Sequence, residues 1–204
     1  MSLNPTTTAV IAVHLLNDIV TPDGAFGGFF AKQVAARNVL AKAQTVLDAA
    51  RTSGATVVYT RVGFDPGHQQ LIANNPLLSI VAEQGCLVNG TWQTEIVDSV
   101  SPQDGDLTIT NGRVSGFADS SLDTILRGKG INTVLIFGVA TNLSVEDTAR
   151  HASNLGYRVI LVEDACSAAT DAAHAATVET LGLLAEVSSS QTVTEWLTTE
   201  MLSV

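Results

Sequence analysis

Basic residues are scarce in this chain: 10 Lys and Arg stand against 20 Asp and Glu in 204 residues, a formal net charge of −10. Gripping a phosphate backbone requires a basic surface that displaces counterions, so the composition argues against nucleic acid as a partner. Cysteine is also rare. Cys86 and Cys166 lie 80 positions apart with no C-x-x-C or metal-type spacing and with largely apolar neighbours, which reads as two reduced, buried thiols. Although 46% of the residues are hydrophobic, no uninterrupted run approaches the roughly 20 apolar residues of a membrane span. The opening segment Met1-Ser2-Leu3-Asn4-Pro5 lacks the basic stretch and apolar stretch of a signal peptide. These absences point to a soluble, cytoplasmic protein.

What is present is an alternation of two periodicities. Short apolar, β-branched runs at Thr8 to His14, Thr56 to Arg61, Asp106 to Thr110, Thr133 to Gly138, Arg158 to Val162 and Glu186 to Ser189 read as six strands. Between them lie segments of helical period. Ala35, Val39, Ala43, Val46, Leu47 and Ala50 form one apolar face, and helices are expected at Thr91 to Val100, Ser120 to Arg127, Asn142 to Asn154, Asp171 to Leu184 and Thr192 to Met201. Such alternation implies a largely parallel sheet covered on both sides, in one domain over residues 1–204. Phe64 to Gly90 is the longest irregular stretch, with a short helix expected at Leu77 to Ala82; its length suits a lid or an oligomer contact.

The most informative segment is Gly138-Val139-Ala140-Thr141-Asn142-Leu143-Ser144-Val145-Glu146-Asp147-Thr148-Ala149-Arg150. It follows a buried strand and opens a helix, so Ser144 falls at a strand-to-helix junction. Free backbone N–H groups and the positive end of the helix dipole favour oxyanions there. Four further segments accompany it in order: Val10 to Asp18, Gly90-Thr91-Trp92, Asn111-Gly112-Arg113-Val114-Ser115-Gly116-Phe117, and Gly156-Tyr157-Arg158-Val159 leading to Glu163-Asp164-Ala165-Cys166-Ser167.

Together these segments resemble the isochorismatase-like cysteine hydrolases, whose signature is close to G-V-A-T-N-x-C-V-x-x-T-A-R. The resemblance implies a Rossmann-like, three-layer α/β/α fold with a mostly parallel six-stranded sheet, and a hydrolase acting on an amide, ester or vinyl ether. It also implies a homo-oligomer, dimer or tetramer. The family's catalytic aspartate, lysine and cysteine positions fall on His14, Asn111 and Ser144, while Leu16 takes a glutamine position and Asn17 and Asp18 are kept. The Val139-Ala140 peptide aligns with a non-proline cis bond of the family, and the Leu143 and Ser144 amides with its oxyanion pocket.

Two readings of these residues stand side by side. In the first, Ser144 is a nucleophile, His14 its general base and acid, and Asn111 the group that orients the imidazole, since a serine hydroxyl needs a neighbouring base. In the second, the chain is a pseudoenzyme that binds a metabolite or protein partner; Ser144 merely caps a helix and His14 fills a disused pocket. Phe26, Phe29, Phe30, Phe64, Trp92 and Phe117 are candidates to line a cleft, with Phe26, Phe64, Trp92 and Phe117 assigned to substrate binding. The family's zinc-dependent amidases use an aspartate and nearby histidines after the second strand. Arg61 to His68 offers only Asp65 and His68, so neither metal nor cofactor is expected. His151 lies two helical turns from Ser144, and His174 reads as structural.

Overall fold

The computed structural model describes residues 2–199. Six strands form one sheet in the order β3-β2-β1-β4-β5-β6, and every pairing between neighbours is parallel. The strands are β1 (Thr8–Val13), β2 (Thr56–Val62), β3 (Leu107–Asn111), β4 (Thr133–Val139), β5 (Arg158–Ser167) and β6 (Glu186–Ser188). β1 and β4 are buried at every position, which is why they read as unbroken apolar runs rather than alternating ones. β5 runs beyond the expected end at Val162. A register shift between Ile136 and Gly138 lets Gly138 pair with Cys166 and Val139 with Ser167.

Among the described residues, eight α-helices connect or flank the strands: α1 (Asn17–Val20), α2 (Gly27–Ala36), α3 (Val39–Ser53), α4 (Pro76–Gln84), α5 (Leu122–Gly128), α6 (Glu146–Asn154), α7 (Asp171–Leu181) and α8 (Ser190–Thr198). Connections β1 to β2 and β4 to β5 run in opposite directions along the sheet. With right-handed crossovers their helices cover opposite faces, giving three layers. α3 packs on α8 over one face, while α6 packs on α7 over the other. Cys86 and Cys166 are free thiols in the interior, and burial pushes their pKa values up to about 11 and about 12. No helix among the described residues is long and apolar enough to cross a membrane.

Several expected elements differ in the structure. Ala35 belongs to α2 and is exposed; the chain breaks at Asn38, which adopts φ 56°, so the buried face of α3 begins at Val39. Thr91 to Val100 forms two single 3-10 turns, Trp92–Thr94 and Asp98–Val100, instead of a helix. Its backbone is committed elsewhere: Asn17 N–H donates to Glu95 O at 3.0 Å and Val97 N–H to Leu15 O at 3.0 Å. Those cross-chain bonds replace the i to i−4 ladder. α7 stops at Leu181, and α4 is longer than expected because Asn75 caps Leu78 N–H and Pro76 opens the first turn. The expected end of the last helix at Met201 lies outside the described residues.

Candidate active site

Strand order reverses between β1 and β4, and the crevice beyond the carboxyl ends of two such strands is where open parallel sheets bind ligands. Val13 pairs with Gly138, so His14 leaves β1 directly beside the end of β4. The approach is closed to side chains: a Cβ on Gly138 would collide with the Val13 carbonyl oxygen, and the residue sits at φ 131°. The Val139-Ala140 peptide that follows is cis. The chain then makes a π-helical turn over Thr141–Val145 before entering α6, a local geometry that recurs at functional sites. Ser144 lies in that turn.

A cavity holding about 480 Å³ of empty space, mouth included, opens here. β1 and β4 contribute its floor through His14, Val139 and Ala140, and the π-helical turn adds Leu143 and Ser144. Ile19, Phe26 and Phe30 come from α1, α2 and the loop between them. α4 covers the opposite side with Leu77, Leu78 and Val81, assisted by Val62 and Leu87; Arg113 and Val114 complete the wall. Asp18 fixes this cover, accepting from Leu87 N–H at 2.8 Å and from Ala25 N–H at 3.3 Å. Asn17 adds a third tie through Nδ2 to Trp92 O at 2.9 Å.

His14 is 2% exposed and adopts φ 52°, a left-handed conformation that histidine tolerates better than most residues. Its backbone N–H donates to Thr60 O at 3.1 Å, but the side-chain Nε2 is buried without a protein partner. Burial alone pulls the His14 pKa down to about 4, so the imidazole is neutral at pH 7. His14 and Ser144 face the same cavity, and no hydrogen bond joins them among the described residues. Of the two backbone amides implied for an oxyanion pocket, that of Leu143 donates to Ala140 O at 3.1 Å.

Asn111 ends β3 behind the cavity wall. Both N–H bonds of its Nδ2 are used at 2.7 Å, on Ser115 O and Ala118 O, which pins the Ser115–Ala118 turn, while Oδ1 has no protein partner. Asn111 makes no hydrogen bond to His14 and is not among the cavity-lining residues. Of the aromatic candidates, Phe26 and Phe30 line the cavity. Phe64 is buried against His68 and Gly112, Phe117 stacks between His151 and Tyr157, and Trp92 is 47% exposed; none of the three lines the cavity. His151 Nδ1 meets Ser115 Oγ at 3.2 Å rather than Ser144. His68 Nε2 donates to Cys86 O at 2.7 Å.

Behind the π-helical turn, Thr141 Oγ1 meets His174 Nδ1 at 2.9 Å, and His174 Nε2 meets Arg37 Nη2 at 2.8 Å and Glu163 Oε2 at 3.3 Å. A guanidinium only donates, so Nε2 accepts from Arg37 and Nδ1 carries the proton given to Thr141. Desolvation, then the Arg37 charge, lowers the His174 pKa, which keeps this arrangement neutral at the ring. Arg37 Nε also donates to Cys166 O at 2.9 Å, tying the turn to β5.

Of the residues singled out from the sequence, His14, Phe26, Phe30, Val139, Ala140, Leu143 and Ser144 line the cavity, whereas the wall from α4 was not among them. Leu77, Leu78 and Val81 were visible only as apolar positions at helical spacing in an otherwise polar stretch, and Arg113 lay inside a quoted motif without an assigned task.

This fold and crevice define an α/β enzyme scaffold of the Rossmann-like class. Residues 8–192 match the Isochorismatase domain model, and the chain belongs to the isochorismatase family. It is 34% identical over 178 residues to ureidoacrylate amidohydrolase RutB of Rhizobium rhizogenes, covering 81% of this chain and 72% of that one. It is 36% identical over 179 residues to RutB of Caulobacter vibrioides, covering 81% and 79%. Among solved structures, a cysteine hydrolase from Pseudomonas syringae pv. phaseolicola superposes with a TM-score of 0.88 at 25% identity, over 98% of this chain and 96% of that one. The N-carbamoylsarcosine amidase of Thermoplasma acidophilum superposes with a TM-score of 0.72 at 28% identity, over 90% and 96%.

Proposed function

We propose that this protein hydrolyses a carbonyl compound, an amide in the first instance, with Ser144 as nucleophile and His14 as general base and acid. The observation that carries the reading is the convergence of the Ser144 hydroxyl and the unpartnered His14 imidazole on one cavity at the sheet's switch point. Relatives at 34–36% identity named as amidohydrolases favour an amide over an ester or vinyl ether. In the proposed sequence Ser144 Oγ attacks the carbonyl carbon as its proton passes to His14. The tetrahedral intermediate collapses, His14 returns that proton to the leaving amine, and a water activated by the same imidazole releases the acid. Asn111 supports this from behind by fixing the Ser115–Ala118 turn, whose flank carries Arg113 and Val114 into the wall.

Binding without turnover is the second reading, and it has its own support. His14 is not bonded to Ser144, and an imidazole whose pKa is about 4 is a weak base. Mass spectrometry after treatment with a fluorophosphonate decides between them, run beside Ser144→Ala and His14→Ala. Hydrolysis predicts a stoichiometric adduct on Ser144 that both variants abolish. An unmodified native protein removes Ser144 as nucleophile and leaves non-covalent acid catalysis by His14 or binding without turnover.

A further inference from the structure

We propose, building on the hydrolase reading of the same cavity, that its substrate is an uncharged carbonyl compound carrying an aryl or branched alkyl group, and that carboxylate-bearing amides are rejected. Among the described residues that line it, only His14, Ser144 and Arg113 are polar. Phe26 and Phe30 on one side face Leu77, Leu78 and Val81 on the other, a slot that suits a flat or branched apolar group. Arg113 is the one cation in the wall among the described residues, and its Nε donates to the largely exposed Asp119 Oδ2 at 2.8 Å.

A carboxylate entering this slot meets a single guanidinium, Arg113, for which Asp119 already competes. It loses hydration against apolar walls, and it approaches a protein of net charge −10. A neutral carbonyl loses far less. Burial also keeps the His14 imidazole uncharged at pH 7, which removes a cation that would otherwise attract acids. The relatives named for ureidoacrylate act, by that name, on a carboxylate; the wall of this chain is built for the opposite polarity.

The test is calorimetric titration of Ser144→Ala at pH 7 with two probes of similar size, phenylacetamide and succinamate. Phenylacetamide is expected to bind at least tenfold more tightly. Equal or tighter binding of succinamate, or no phenylacetamide binding up to its solubility limit, overturns the proposal. Asp119→Asn in the same background releases Arg113 and should tighten succinamate several-fold while leaving phenylacetamide unchanged; an unmoved succinamate affinity refutes the role given to the Arg113–Asp119 pair. Because Ser144→Ala reports binding alone, failure of the hydrolysis reading leaves these outcomes readable. A missing fluorophosphonate adduct with retained phenylacetamide preference removes Ser144 as nucleophile and keeps the ligand class.

Discussion

Replacing His14 by leucine converts the central feature of the site into a stability measurement. The imidazole is almost fully buried and its Nε2 has no protein partner. A buried polar atom left unpaired costs about 1–3 kcal/mol. Leucine is less at ease than histidine at φ 52°, which takes back part of that gain. His14→Leu should therefore stabilise the fold at pH 7 by about 1–2 kcal/mol, or roughly 3–6 °C in Tm for a domain of this size.

The pH dependence sharpens the prediction. The folded pKa of His14 is depressed to about 4 from 6.5. Between those values the unfolded chain holds a proton at residue 14 that the folded chain does not, so native stability falls as pH falls. The slope is about 1.4 kcal/mol per pH unit, and about 3 kcal/mol is lost by pH 4. Leucine has no such proton. The advantage of His14→Leu over the native protein should thus widen from about 1–2 kcal/mol at pH 7 to about 4 kcal/mol at pH 4.5. Urea unfolding of both proteins at the two pH values measures it, and subtraction cancels the carboxylates and His174. A difference that does not change with pH refutes a neutral, buried His14. A variant less stable than the native protein at pH 7 refutes the missing partner.

Two further substitutions probe the frame around the site. Gly138→Ala places a Cβ against the Val13 carbonyl at φ 131°, and should cost more than about 4 kcal/mol or prevent soluble expression; a cooperative unfolding midpoint within 3 °C of native would contradict this. Arg51→Ala removes the partner of Asp106, whose carboxylate is 5% exposed and bonded at 2.8 Å, together with a 2.8 Å bond to Tyr59 Oη. A loss of about 3 kcal/mol with an unchanged urea m-value is expected, and a loss under 1 kcal/mol would show that Asp106 finds other donors.

The sheet was legible because burial on both faces leaves an unambiguous mark. Val134, Leu135, Ile136 and Phe137 have no polar interruption, and all four are fully buried. Elements set by long-range bonding were not legible. Thr91 to Val100 has helical composition, yet its amides pair with Leu15 and Asn17, some 80 positions earlier. The same holds for the site. His14 and Ser144 could be placed at the ends of β1 and β4 from strand assignment alone. Whether Asn111 faces the cavity depended on where Ser115 and Ala118 return to meet it, and no spacing encodes that. Trp92 looked like a substrate contact because aromatics often line clefts, but Asn17 holds its backbone in a turn that leaves the indole half exposed.

Two buried histidines with lowered pKa values differ sharply in how they are bonded. His174 has a partner on each ring nitrogen, Thr141 on one side and Arg37 on the other, and so holds the π-helical turn in place. His14, more deeply buried, has none for Nε2. Buried side-chain atoms without a protein partner occur, among the described residues, in His14, Thr60, Asn89, Asn111, Asn142, Ser167 and Thr194, and those of His14, Asn111 and Ser167 sit at or just past the carboxyl ends of strands. A fold selected for stability alone would satisfy such atoms or replace them with apolar ones. Of these residues only His14 lines the crevice, so a ligand bound there would meet His14 and Ser144 and would leave the well-bonded His151 and His174 to their protein partners.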